Sequence, residues 1–133
     1  MNILKNLNFF KQKKVMVFGT FDILHKGHFN FFKQAKKYGN LIVVIARDEN
    51  VRKVKGQLPK NNESDRLKNV QKSVGKVILG DKKDKLKVIR KIKPDVICVG
   101  YDQIVPINDL KNIGVHVKIL KSYQPHKYKS SKM

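Results

Sequence analysis

Residues 15–28 read VMVFGTFDILHKGH, and this stretch decides the fold. Residues 15–18 form a short apolar run of the kind that makes a buried strand. Gly19 follows as a turn, and Phe29, Phe31, Phe32, Ala35 and Tyr38 then mark one face of a helix. His25 and His28 stand three apart where that helix opens, so both lie on one face of it. A helix start carries unpaired N–H groups and a partial positive charge. Two imidazoles at such a point, next to a glycine turn, make a site for phosphate.

Outward from this unit the chain alternates strand and helix. Strands are expected at 15–18, 41–46, 76–79, 95–99 and 115–120, and helices at 26–38, 62–73, 82–92 and 106–113. Gly39 and Gly114 suit helix stops, Asp81 with Asp84 resembles a cap, and Pro106 suits a first helical position. Pro94 ends the helix before the fourth strand. The strands are Val- and Ile-rich runs, as expected when helices cover both sheet faces. Repeated β-α units with right-handed crossovers give an α/β fold, a three-layer Rossmann-like architecture around a five-stranded parallel sheet. The charged stretch 52–61, which holds Gly56 and Pro59, is expected to be a mobile loop.

At 133 residues the chain is one domain, with 1–14 as a basic amphipathic extension and 15–133 as the folded unit. No apolar run approaches the roughly 20 residues of a membrane span, and no secretory signal is evident, so the expectation is a cytoplasmic protein without a membrane partner. The formal charge is +20, almost all from lysine spread along the chain. That pattern predicts attraction of anionic substrates and salt-sensitive sticking to polyanions, but no specific nucleic-acid site. Cys98, the only cysteine, sits in an apolar run and reads as core. A zinc site on His25 and His28 lacks further ligands, because Cys98 is in a strand and His116 and His126 lie far along the chain.

In open α/β sheets ligands gather beyond the carboxyl ends of the strands. Besides residues 19–28, three segments fall there: Ala46 to Glu49, Gly100 to Gln103, and Tyr128 to Met133. Arg66 lies on the helix that follows the charged loop.

Gly19-Thr20-Phe21-Asp22 with His25-Lys26-Gly27-His28 resembles the signature of the cytidylyltransferase-like nucleotidyltransferases, the HxGH group, and the likeness runs from Val15 to Met133. It implies the same fold and an enzyme that joins a nucleoside monophosphate from ATP or CTP to a phosphate on a small molecule, releasing pyrophosphate. It implies that His25, His28 and Arg66 are catalytic. Gly19, Thr20, Phe21, Gly100, Asp102, Ser130 and Ser131 bind the nucleotide with the two histidines, and Lys132 belongs to the same phosphate-binding stretch. Asp22, Asp48 and Lys55 fall to the acceptor, with Lys53 as the other candidate for the basic loop contact. Mg²⁺ arrives with the nucleotide and keeps several waters, with Asp22 or Asp48 within indirect reach and no protein ligand assigned, and a homodimer is the family habit. Ile45 to Glu49, 51–59, Lys93-Pro94-Asp95 and Gly100 to Gln103 resemble the archaeal-type branch that adenylylates FMN. The branch that uses CTP and glycerol 3-phosphate usually carries a Trp near the fourth-strand turn, and this chain has none. That branch stays open as the alternative, as does a non-catalytic basic protein that binds nucleotides or RNA.

Overall fold

Strand β1, Lys14–Gly19, is the middle of five parallel strands. The computed structural model describes residues 13–103 and 105–122; residues 1–12 of the extension and the segment 123–133, with Ser130, Ser131 and Lys132, lie outside the described residues. After β1 come α1 (Lys26–Lys36), β2 (Asn40–Ile45), α2 (Asp48–Lys55), α3 (Glu63–Gln71) and β3 (Lys76–Leu79). Then follow α4 (Lys87–Ile92), β4 (Val96–Gly100), α5 (Ile107–Ile113) and β5 (His116–Leu120).

The strand order is β3-β2-β1-β4-β5. The chain first builds outward from β1 to β3, then returns to place β4 on the other side of β1. The reversal between β1 and β4 is the topological switch point, where the crossing loops diverge and leave a crevice. Period-two alternation divides the core into two layers. Val15, Val17, Val43 and Cys98 pack with Phe32 and Ala35 of α1 and Val70 of α3. Met16, Val44, Ile97 and Val99 pack with Ile89 of α4 and Leu110 of α5. The edge strand β5 is more polar, with His116, Lys118 and Ile119 exposed, which suits a strand with one open side.

Three local expectations change. The stretch 52–61 is not a single loop, because α2 runs to Lys55 and stops at Gly56, whose φ of 83° is the left-handed C-cap. Asp48 and Glu49 in its first turn and Arg52, Lys53 and Lys55 in its last match the helix dipole. Helix α4 begins at Lys87 rather than 82: the Asp81 carboxylate accepts the N–H groups of Lys83 and Asp84, and Asp84 accepts that of Leu86. These side-chain turns compete with the helix and hold 81–86 outside it. Gly39 falls beyond the α1 C-cap, which is Lys37. No helix among the described residues is long and apolar enough to cross a membrane.

Candidate active site

The crevice is built around the end of β1. Phe21 takes a positive φ of 50°, and its ring folds back over Gly19. A Cβ on Gly19 would stand 2.6 Å from the Phe21 ring, so any side chain there would have to displace that ring. The ring is buried, with its centroid 5.1 Å from that of Phe32 and 5.4 Å from that of His28, which it meets edge-on. The Phe21 side chain therefore props a histidine and does not face the crevice. Its backbone N–H has no acceptor among the described residues.

The histidines cap the helix they begin. His25 is the N-cap of α1, and its Nδ1 accepts the Gly27 N–H at 3.0 Å. His28 Nδ1 accepts the His25 N–H at 3.3 Å. A backbone N–H can only donate, so each Nδ1 carries a lone pair and each ring proton sits on Nε2. The rings stack with centroids 3.9 Å apart. Burial, and then the neighbouring His25, push the His28 pKa down to about 4. His28 is thus a neutral Nε2–H donor at neutral pH. The expected row of free helix-start N–H groups is shortened, because the imidazoles take two of them.

The acidic and arginine residues behave otherwise. Arg66 is fully buried, with Nη1 donating to Thr20 O at 2.8 Å, Nε to Asn61 O at 3.0 Å and Nη2 to Asp48 Oδ1 at 2.6 Å. All three nitrogens of its guanidinium are engaged by the protein, so it does not present the triphosphate fork the resemblance implied. Asp48 Oδ2 accepts the Glu63 N–H, and Glu63 Oε1 accepts the Asp48 N–H. Each acid caps the helix that the other begins. Asp22 accepts the N–H groups of Lys60 and Asn61 and the Asn61 side-chain amide. Burial alone would raise the Asp22 pKa, but those N–H groups, with Arg66, hold it below the ordinary carboxylate value. Asp22 and Asp48, read as acceptor contacts, here tie the histidine loop to the α2–α3 unit.

Beyond β4, Gln103 Oε1 accepts the Gly100 N–H at 2.7 Å, and its Nε2 donates to Phe18 O at 3.0 Å. One side-chain amide thus bridges the ends of β1 and β4, and Asp102 stands exposed on the turn between.

A cavity of about 390 Å³ opens from Gly19 and Thr20 beyond the ends of β1, β2 and β4. Val44, Val51, Leu86, Ile89, Val99 and Leu110 make its apolar walls. Thr20, Arg47, Asn50, Lys55 and Asp81 add polar groups. Lys55 lines it and Lys53 does not. Arg47, Asn50 and Glu63 were not among the residues singled out from sequence. Only the position of Arg47 at a strand end pointed to it.

Residues 16–132 match the Cytidylyltransferase-like family. This chain belongs to that family. Among its members, FAD synthase from Pyrococcus horikoshii is 39% identical over 127 residues, covering 90% of this chain and 84% of that protein. FAD synthase from Korarchaeum cryptofilum is 43% identical over 120 residues, covering 82% and 80%. A crystal structure described as the lipopolysaccharide core biosynthesis protein from Thermoplasma volcanium superposes with a TM-score of 0.73 at 38% identity, covering 85% of this chain and 98% of that one. The five-stranded parallel sheet and its flanking helices are the fold this family membership implies.

Proposed function

We propose that this protein is an FMN adenylyltransferase, an FAD synthase, which transfers the adenylyl group of ATP to the phosphate of FMN and releases pyrophosphate. The observation that carries the reading is the apolar cavity opening from Gly19 and Thr20. A flat fused-ring acceptor can bury its surface against such walls with its phosphate directed back to the histidine loop. Glycerol 3-phosphate has no comparable apolar surface. The FAD synthase relatives support the same choice.

In this reading a phosphate oxygen of FMN attacks the α-phosphorus of ATP. The new P–O bond forms as the bond to the β-phosphate oxygen breaks, and pyrophosphate leaves with that electron pair. Charge grows on the nonbridging and leaving oxygens, where His25 and His28 donate their Nε2–H groups. Gly19, Thr20 and the Phe21 N–H bring backbone close to the phosphates. Gly100 and Asp102 face the nucleoside, and Lys55 neutralises phosphate charge. Arg66 acts through Thr20. By holding the Thr20 carbonyl it fixes the peptide plane whose N–H, on Phe21, points the opposite way.

Divalent metal use is general in nucleotidyltransferases. Here Asp22 and Asp48 are engaged by protein groups, and among the described residues no three His, Cys, Asp or Glu side chains converge as a metal site. In the proposed reaction Mg²⁺ comes with the substrate, carried on the ATP phosphates with its own waters.

Incubating the purified chain with MgATP or MgCTP, and with FMN or glycerol 3-phosphate, tests the reading. FAD and pyrophosphate from ATP and FMN are the expected products. Turnover of glycerol 3-phosphate with CTP would replace the acceptor and keep the transfer chemistry. No pyrophosphate from any pair would remove both.

A further inference from the structure

The cavity has two ends. One is Gly19–Thr20, beside the histidine loop, and the other is formed by Gly80 and Asp81 beyond β3, with Arg47 and Asn50 of the α2 start beside them. The transfer chemistry fixes which part of an acceptor sits where. Its phosphate must meet the histidines, so the rest of the molecule extends toward the second end.

That second end carries a donor next to an acceptor. Arg47 Nη1 lies 3.4 Å from Gly80 O, and its buried Nε stands 3.1 Å from Glu63 Oε2 but off the line of a hydrogen bond. Nη2 makes no hydrogen bond among the described residues. The guanidinium is therefore anchored from behind with donor capacity left over. Asn50 follows three residues later, in the first turn of α2, and lines the same cavity. Its Nδ2 donates to Asp81 O at 3.3 Å, which sets the amide orientation and leaves Oδ1 as an acceptor. A guanidinium N–H beside an amide oxygen complements a carbonyl beside an N–H. The apolar walls between the two ends suit an aromatic body.

The geometry points to Arg47 and Asn50 as the residues that recognise the acceptor: Arg47 donates to a ring carbonyl, and Asn50 Oδ1 accepts the adjacent ring N–H, of an imide edge on a fused-ring substrate seated in the cavity. This rests on the FMN reading, since the pyrimidinedione edge of the flavin is such an imide. The dimethylbenzene side of the ring then lies against the valine and leucine walls. A phosphorylated alcohol without this edge leaves both polar groups unpaired, which is the strong form of discrimination against an analogue.

The test is equilibrium titration of the full chain, without ATP, by flavin fluorescence, using FMN and N3-methyl-FMN. MgATP binding is measured separately. Losing one such hydrogen bond weakens binding about tenfold, so N3-methyl-FMN should bind the wild type roughly tenfold more weakly than FMN. Asn50→Leu should erase that difference. Arg47→Met should raise the Kd for FMN by at least about tenfold, leave that for MgATP within about twofold, and be only partly rescued by Arg47→Lys. Equal binding of FMN and its N3-methyl form by the wild type overturns the assignment, and that measurement needs no variant to fold. Equal weakening of FMN and MgATP in the variants also overturns it. A wild type that binds MgATP but no flavin overturns the acceptor reading and this assignment together. A wild type that makes FAD while both variants bind FMN unchanged overturns this assignment alone.

Discussion

The start of α1 and the paired starts of α2 and α3 meet at the same end of the sheet and satisfy their backbone donors differently. At α1 the capping groups are imidazoles, which accept with one nitrogen and keep the other as a donor. At α2 and α3 the capping groups are carboxylates, each engaged by the opposite helix, with Arg66 closing the network. The capping carboxylates and Arg66 are consumed by one another, and the imidazoles keep a proton to give. At these helix starts formal charge is therefore a poor guide to which capping side chains are available for ligands.

The sharpest way to break this contrast is at the histidines. His28→Ala should lower kcat by about 10²–10³, the usual cost of one transition-state donor. His25→Asn retains a capping acceptor but lacks the Nε2–H, so it should lose rate while its thermal midpoint stays near wild type. Steady-state kinetics beside thermal melts separate the two roles, and a fast His28→Ala enzyme would end the comparison.

Arg66→Met should act on the fold. It orphans Asp48 and two carbonyls, and breaking a buried pair of this kind costs roughly 3 kcal/mol, taken at the low end because Asp48 is partly exposed. Denaturant titration reads this directly. A variant of normal stability that had lost only ATP affinity would restore the triphosphate role for Arg66.

Acid should separate the regions next. The His28 pKa is about 4 in the folded chain and 6.5 for an unperturbed histidine, so the unfolded chain binds more protons between these values. The stability linked to His28 is complete above pH 6.5 and is lost as pH falls through about 4. The carboxylate Asp22, held below its ordinary value of 3.8, contributes its loss only at lower pH. Melts from pH 7 to pH 4 should decline in the wild type and flatten in His28→Asn.

The smallest effect is expected at Glu63→Ala, which removes the cap on α2 and the partner of Arg47. About 1 kcal/mol is the ordinary cost of a lost cap, with little added by a part-exposed ion pair. A thermal melt checks it.

Strands β1 to β4 are legible because each centres on an unbroken apolar run, whereas β5 keeps only a Val-rich alternation interrupted by His116 and Lys118. The histidine unit is legible because its members are ten neighbours in sequence and one face of one helix. Helix α2 hides because Val51 is its only buried residue among charged ones, so it lacks the apolar stripe that announces a helix. Gly56, a helix stop, looks the same in sequence as a glycine in a loop. The engagement of Arg66 could not be read because its partners Thr20 and Asp48 are 46 and 18 positions away. Nothing local tells an arginine that meets a ligand from one that meets the backbone. Arg47 and Asn50 owe their place to the cavity, which exists only once α2, α4 and α5 have closed over the sheet.

The double use of the imidazoles limits how this protein can be made more robust. In many enzymes a functional side chain is held against the preferences of the fold, and replacing it yields a stabler, inert protein. Here the donors of the proposed site also terminate a helix, so removing them loosens the scaffold instead of relaxing it. Only a replacement that keeps the capping acceptor, as Asn does, separates endurance from turnover, and substitutions that add stability have to be found elsewhere, on the lysine-rich surface or along the edge strand.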